Sequence, residues 1–223
     1  MTRTSTEALR LSPSKISVFK DCPRCFWMAE KGGVARVRGI FPSLPGGMDR
    51  VLKDHYDKAR KVGALPAEIL GKVPGKLFGD VKKLDRLRNW RTGFTTVVEG
   101  VDIIGAVDDL LEINGKFAPL DYKTRGSAPK EGASAGYYGH QMDIYDLLLS
   151  ENGMKTTGDA YLVYYFPAEY PKFHTEVVTL KSSADLARDL ISRAAECFDR
   201  KTPPDASSGC EYCSFVKAAG NYL

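Results

Sequence analysis

Apolar positions in the first part of the chain recur at helical spacing between Gly- and Pro-rich interruptions. In "LSPSKISVFKDC", Ser12 is placed to cap a helix, Pro13 suits its first position, Ile16 and Phe19 share a face, and Pro23 ends it. A Gly/Pro-rich loop is expected over residues 32–47. "GMDRVLKDHYDKARKVG" then predicts a helix with Met48, Val51, Leu52, His55 and Ala59 on its apolar stripe. After another punctuated stretch, "DVKKLDRLRNWR" predicts a basic helix with Val81, Leu84 and Leu87 inward.

From Phe94 the period changes. "FTTVVEGVDIIGAVDDLLEI" and "KFAPLDYKT" are β-rich, and Asn114-Gly115 between two apolar segments signals a tight hairpin. A two-residue turn pairs Ile113 with Lys116 and Glu112 with Phe117, and continuing outward it opposes Asp108 to Asp121. A slip of one residue would substitute Asp109, and Pro119 marks an edge or bulge. Beyond a small-residue loop, "YYGHQMDIYDLLLSENG" reads as a helix with Gln141 and Tyr145 on the face of Tyr137, Ile144 and Leu148. "AYLVYYFP" and "TEVVTL" read as strands, "SADLARDLISRAAECFDR" as a helix with Cys197 a small buried residue, and the tail after it as mostly loop.

The hairpin raises a question of charge. Side chains alternate along a strand, so Asp121 and Lys123 share a face while Tyr122 takes the other. Opposed residues on paired strands bring their Cβ atoms to about 4.5–5.5 Å, and two aspartates there repel unless a cation lies between them. Lys123 is one such cation, and the cluster then amounts to strand-end charges. A divalent ion is the other. Carboxylates are the hard ligands of Mg²⁺ and Mn²⁺, which keep open positions for a phosphodiester and a water, and a lysine beside them stabilises developing charge or positions the water.

Composition narrows this only modestly. The 223 residues, 43% of them hydrophobic, suffice for a sizeable core, and a formal charge of +4 with pI near 8.7 permits an anionic partner without requiring one. No apolar run approaches a membrane span or a secretion signal, so the chain is read as cytoplasmic, without membrane association. Residues 1–10 are expected to be flexible and residues 11–223 to form a single domain.

"GAVDDLL", "LDYKT" and "HQMDIYDLLL", in that order, resemble the PD-(D/E)XK nuclease superfamily, in particular its RecB-like and Cas4-like branch. The G-x-x-D strand is matched by Gly105 and Asp108, the (D/E)-x-K strand by Asp121 and Lys123, and the Q-x-x-x-Y helix by Gln141 and Tyr145. The resemblance implies an α/β, restriction-endonuclease-like core with a central mixed β-sheet flanked by helices. It further implies that Asp108, Asp121 and the Tyr122 carbonyl hold Mg²⁺ or Mn²⁺, that Lys123 is catalytic, and that Gln141 and Tyr145 line the site. Relatives carry a metal-binding histidine on an early helix soon after a glycine; here Arg50 or Val51 stands at that spacing, and His55, a turn later, is the candidate ligand. Glu99 is a further candidate carboxylate.

Five cysteines include two C-x-x-C pairs, Cys22 with Cys25 and Cys210 with Cys213, near opposite ends of the chain. In a reducing compartment four thiolates point to a metal, and their spacing suits zinc and an iron-sulfur cluster equally. The family resemblance favours a [4Fe-4S] cluster, with Zn²⁺ as the alternative, closing an N- and C-terminal cysteine clamp. A thioredoxin-like redox role for "CPRC" is disfavoured because the motif is expected to follow a helix rather than open one after a strand. The expected activity is metal-dependent hydrolysis of DNA, single-stranded or at free ends, with Lys82, Lys83, Arg86, Arg88 and Arg91 tracking phosphates. The alternative is a catalytically silent or partner-dependent DNA-binding subunit, and a helicase/ATPase or integrase-type protein is a candidate partner.

Overall fold

The structure is a computed structural model describing residues 9–37, 39, 43–169, 172–220 and 222. Of the N-terminal segment expected to be flexible, residues 1–8 lie outside the described residues. Arg10 does not fit that expectation, because it lies in a paired strand.

In chain order the elements are β1 (Arg10–Leu11), α1 (Pro13–Asp21), α2 (Pro23–Glu30), α3 (Ser43–Lys61), β2 (Lys76–Leu77), α4 (Val81–Arg88), β3 (Phe94–Val98), β4 (Val101–Gly105) and β5 (Asp109–Ile113). Then come β6 (Lys116–Thr124), α5 (Ala133–Glu151), β7 (Asp159–Pro167), β8 (Phe173–Lys181), α6 (Ala184–Asp199) and α7 (Glu211–Ala219). They fall into two compact units. One takes in both ends of the chain with residues 97–103, the other residues 41–96 and 104–187.

The second unit is built on a five-stranded mixed sheet of order β2-β5-β6-β7-β8. Its centre is the β5–β6 hairpin. Asn114 and Gly115 both take positive φ, 52° and 74°, as a two-residue turn between twisted strands requires. The register follows: Ile113 opposes Lys116, Glu112 opposes Phe117, and Asp109 opposes Leu120. β6 and β7 run parallel, with α5 in the connection between them, and β8 returns antiparallel to β7.

Pro119 is accommodated inside this central strand. The Phe117 N–H bonds the Lys155 carbonyl, so Pro119, two residues on, directs its nitrogen to the same edge. On that edge the β6–β7 ladder begins only at Leu120, and no ladder bond is lost.

One sheet face packs Ala118, Leu120, Tyr122, Tyr161 and Val163 against Leu52 and Tyr56 of α3 and against Ile69 and Val73. The α3 stripe differs in phase from the sequence expectation. Leu52 and Tyr56 are buried, while Val51 is 61% exposed and His55 points outward, because Tyr56 stacks on Tyr122 at 4.5 Å between ring centroids. The helix also begins at Ser43, with Pro45 in its first turn where no amide donor is needed, so the preceding loop is shorter than expected. In α4, Leu84 and Leu87 are buried as expected but Val81 is 40% exposed, and on α5 Tyr137 is 66% exposed.

In the other unit Ser12 caps α1, accepting from the Lys15 amide, and Ile16 and Phe19 are buried. Pro23 ends α1 yet starts α2, since proline is tolerated at a first helical turn. The tail carries a further helix, α7, where mostly loop was expected. Cys197 is buried as expected, its thiol 3.6 Å from the Pro23 carbonyl. Among the described residues, no helix is long and apolar enough to cross a membrane.

Candidate active site and cysteine centre

Two adjacent aspartates at the mouth of the β5–β6 hairpin face in different directions. Asp109 is fully buried and accepts from Arg60 Nη2 at 2.6 Å, Arg88 Nη2 at 3.1 Å and the Tyr122 hydroxyl at 2.7 Å. Arg88 also holds Asp57 at 2.8 Å and donates to the Asp108 carbonyl at 2.7 Å. Arg88 therefore belongs to this buried network, which corrects its expected place among phosphate-tracking residues. Lys82, Arg86 and Arg91 are exposed and Lys83 is half-buried.

Asp108 turns the other way. Its Oδ2 accepts from the Tyr122 amide at 3.1 Å, and its Oδ1 lies 3.2 Å from Lys53 Nζ. Tyr122 directs its carbonyl to the same strand edge as its amide, past the last ladder pair, so that oxygen is aimed at the side occupied by Asp108. Lys53 is also 2.8 Å from Asp49 Oδ1, one helical turn earlier. Burial pulls the Lys53 pKa down, and the charges of Asp108 and Asp49 more than offset this, so it stands above the ordinary lysine value.

Asp121, Lys123 and Gln141 meet on the α5 side of β6. Asp121 is 2% exposed, and its Oδ1 accepts from Gln141 Nε2 at 3.1 Å. Lys123 Nζ stands 2.5 Å from Asp121 Oδ2, donates to Gln141 Oε1 at 3.1 Å and lies 4.3 Å from the Tyr138 ring centroid. The buried Oδ2 is thus ion-paired with the lysine and, among the described residues, has no other hydrogen-bond partner. Burial first, and the charge of Asp108 second, raise the Asp121 pKa to about 7. Lys123 is pulled down by burial but raised overall by Asp121.

Gln141 is held by Tyr145, whose hydroxyl accepts from Gln141 Nε2 at 2.8 Å and donates to the Ala106 carbonyl at 2.7 Å. The glycine of the first motif has a steric reason. A Cβ on Gly105 would sit 2.6 Å from Leu148 Cδ1 and 3.4 Å from Tyr145 Cε1, so its absence lets α5 close on this residue.

The structure thus brings together Asp108, Asp121, Tyr122, Lys123, Gln141 and Tyr145, and adds Asp49 and Lys53, which the sequence reading did not single out. The signal for them was the Asp49–Lys53 spacing of one turn just after Gly46-Gly47. His55 is directed elsewhere. Its Nε2 is 2.9 Å from Glu68 Oε1, and the bonds continue through the Tyr165 hydroxyl to that of Tyr56. Glu99 stands at positive φ in the β3–β4 turn and accepts from Ser192 Oγ at 2.6 Å.

A buried carboxylate whose pKa is raised by a second carboxylate nearby matches the donor chemistry of a hard divalent cation. Asp108, Asp121 and the Tyr122 carbonyl are the groups that could hold one.

The four cysteines of the C-x-x-C pairs form a second centre, within the unit that contains both chain ends. Their sulfurs all lie within 4.8 Å of one another. Each pair straddles a helix start, with Cys22 and Cys210 at the N-caps and Cys25 and Cys213 in the first turns of α2 and α7. "CPRC" starts α2 directly after α1, so as expected it follows a helix rather than opening one after a strand.

A mixed sheet with paired carboxylates and a lysine on its central hairpin, flanked by a Gln/Tyr helix, defines an α/β nuclease-like class. A model of the PD-(D/E)XK nuclease superfamily matches residues 78–218, and the chain belongs to that superfamily. A crystal structure of a candidate exonuclease from Eubacterium rectale is similar in fold, at 15% identity and a TM-score of 0.57, covering 96% of this chain and 93% of that one. The crystal structure of SSO0001 matches at 17% identity and a TM-score of 0.48, covering 96% and 87%.

Proposed function

We propose that this protein is a Mg²⁺- or Mn²⁺-dependent deoxyribonuclease of the RecB-like and Cas4-like branch, acting on single strands or free ends. The observation that carries the reading is the buried Asp121 beside the charge of Asp108, its Oδ2 ion-paired with Lys123 on the same strand face.

Asp108, Asp121 and the Tyr122 carbonyl would hold the ion, and Asp49 is linked to the set through Lys53. When bound, the metal supplies Lewis acidity toward the scissile phosphate and a water acidic enough to attack near neutral pH. Lys123 stays an ammonium in the geometry described, so its part is to place positive charge beside the phosphoryl oxygens as negative charge develops. Gln141 orients both Asp121 and Lys123 through its two amide ends, and Tyr145 fixes which end faces which. Gln141 and Tyr145 are on this account positioning residues. The exposed Lys82, Arg86 and Arg91 offer phosphate contacts. The name of the Eubacterium rectale neighbour supports preference for ends, and a helicase/ATPase or integrase-type partner would supply them in the cell.

The test is cleavage of linear and covalently closed circular single-stranded DNA with Mn²⁺, Mg²⁺ or EDTA. Metal-dependent loss of the linear form with sparing of the circle is expected. Equal cutting of both contradicts end preference, and no cutting under any metal contradicts the activity.

A further inference from the structure

The geometry points to a mononuclear zinc tetrathiolate at Cys22, Cys25, Cys210 and Cys213, in place of the [4Fe-4S] cluster that the resemblance implies. Bonds of about 2.3 Å from a single tetrahedral zinc place its sulfurs about 3.8 Å apart along every edge. Cys25 Sγ is 3.5 Å from Cys210 Sγ and 3.6 Å from Cys213 Sγ, and Cys22 Sγ is 3.8 Å from Cys213 Sγ. A four-iron cluster attaches each thiolate to a different iron, with inorganic sulfide filling the centre, so its cysteine sulfurs must stand well beyond that edge length. Here none is more than 4.8 Å from another, and Val18 and Ala206 pack against the group. The thiols are not disulfide-bonded.

The surroundings suit a compact dianionic centre. The Ser207 amide donates to Cys22 Sγ at 3.5 Å, and Arg36 Nη2 lies 3.9 Å from Cys210 Sγ. Arg36 is itself held by Asp21 at 3.2 Å and by stacking on Tyr212 at 4.8 Å, the kind of outer partner that orients and charge-balances thiolate ligands. The N-termini of α2 and α7 add partial positive charge. Between single-ion candidates, zinc binds such a site more tightly than ferrous iron. The centre is then redox-silent and structural, tying α1–α2 to α7 at the two ends of the chain.

The experiment is anaerobic purification of the whole chain from cells supplied with both iron and zinc, followed by metal analysis, acid-labile sulfide assay and visible absorption. About one zinc per chain, without iron or sulfide, is expected. Exchange with cobalt should give the visible bands of a tetrahedral cobalt thiolate, and Cys213→Ser should lose metal. Should that variant fail to fold, zinc release from the wild type by thiol modification provides the same count. Iron with equal sulfide overturns the proposal in favour of a cluster. One iron without sulfide overturns the choice of zinc, and a folded, metal-free protein overturns the site. None of these readouts depends on DNA cleavage.

Discussion

Asp121 carries the most consequential charge in the chain. Its pKa is raised by burial first and by Asp108 second, to about 7. The folded state therefore keeps a proton that the unfolded state gives up, and stability falls as pH rises from the ordinary aspartate range to about 7. On the proposed function, a divalent ion bound there would take over the proton's role. The thermal midpoint of metal-free protein is expected to drop across that window, Mn²⁺ is expected to restore it at the upper end, and Asp121→Asn should abolish both effects. A slope and a Mn²⁺ response that survive in the variant would contradict the carboxylate pair as their source. The neighbouring aspartates mark a limit of sequence reading at this scale. Hairpin spacing alone allows a slip that exchanges Asp108 for Asp109. What separates them is Arg60 and Arg88, 49 and 21 residues away, which engage Asp109 and leave Asp108 to Lys53 and the Tyr122 amide.

At the scale of elements, the β5–β6 hairpin was the most legible part, because Asn114-Gly115 chooses one turn and the turn chooses the register. Helix α3 was legible in existence but not in phase. His55 and Tyr56 are adjacent, and only packing against Tyr122 decides which one is buried. Helices α2 and α7 were missed because each is a short segment whose start is a cysteine pair rather than a capping residue. The close approach of α5 to residue 105 requires a glycine there. Gly105→Ala places a methyl against Leu148 and Tyr145, and overpacking of this kind costs about 1–3 kcal/mol. Denaturant unfolding should show that loss together with reduced cleavage, because Tyr145 holds Gln141. An unaltered midpoint would mean that α5 moves freely to admit the methyl.

For the whole molecule, three short motifs spread over residues 105–145 carried a resemblance that implied the mixed sheet, and the parallel β6–β7 pair with α5 as its crossover is how the chain builds it. The same motifs were silent on Asp49 and Lys53, which reach the site from a different helix through the fold. Membership of the PD-(D/E)XK superfamily rests on residues 78–218, and the chemistry proposed within it rests on the two carboxylates and the lysine of the hairpin. The direct measurement is Mn²⁺-dependent cleavage of end-labelled DNA by the wild type, Asp121→Ala and Lys123→Ala, each verified as folded by thermal denaturation. Cutting by the wild type, abolished by EDTA and reduced at least about a hundredfold in both variants, is the predicted result. Undiminished cutting by either folded variant would contradict the assignment of the chemistry to this hairpin.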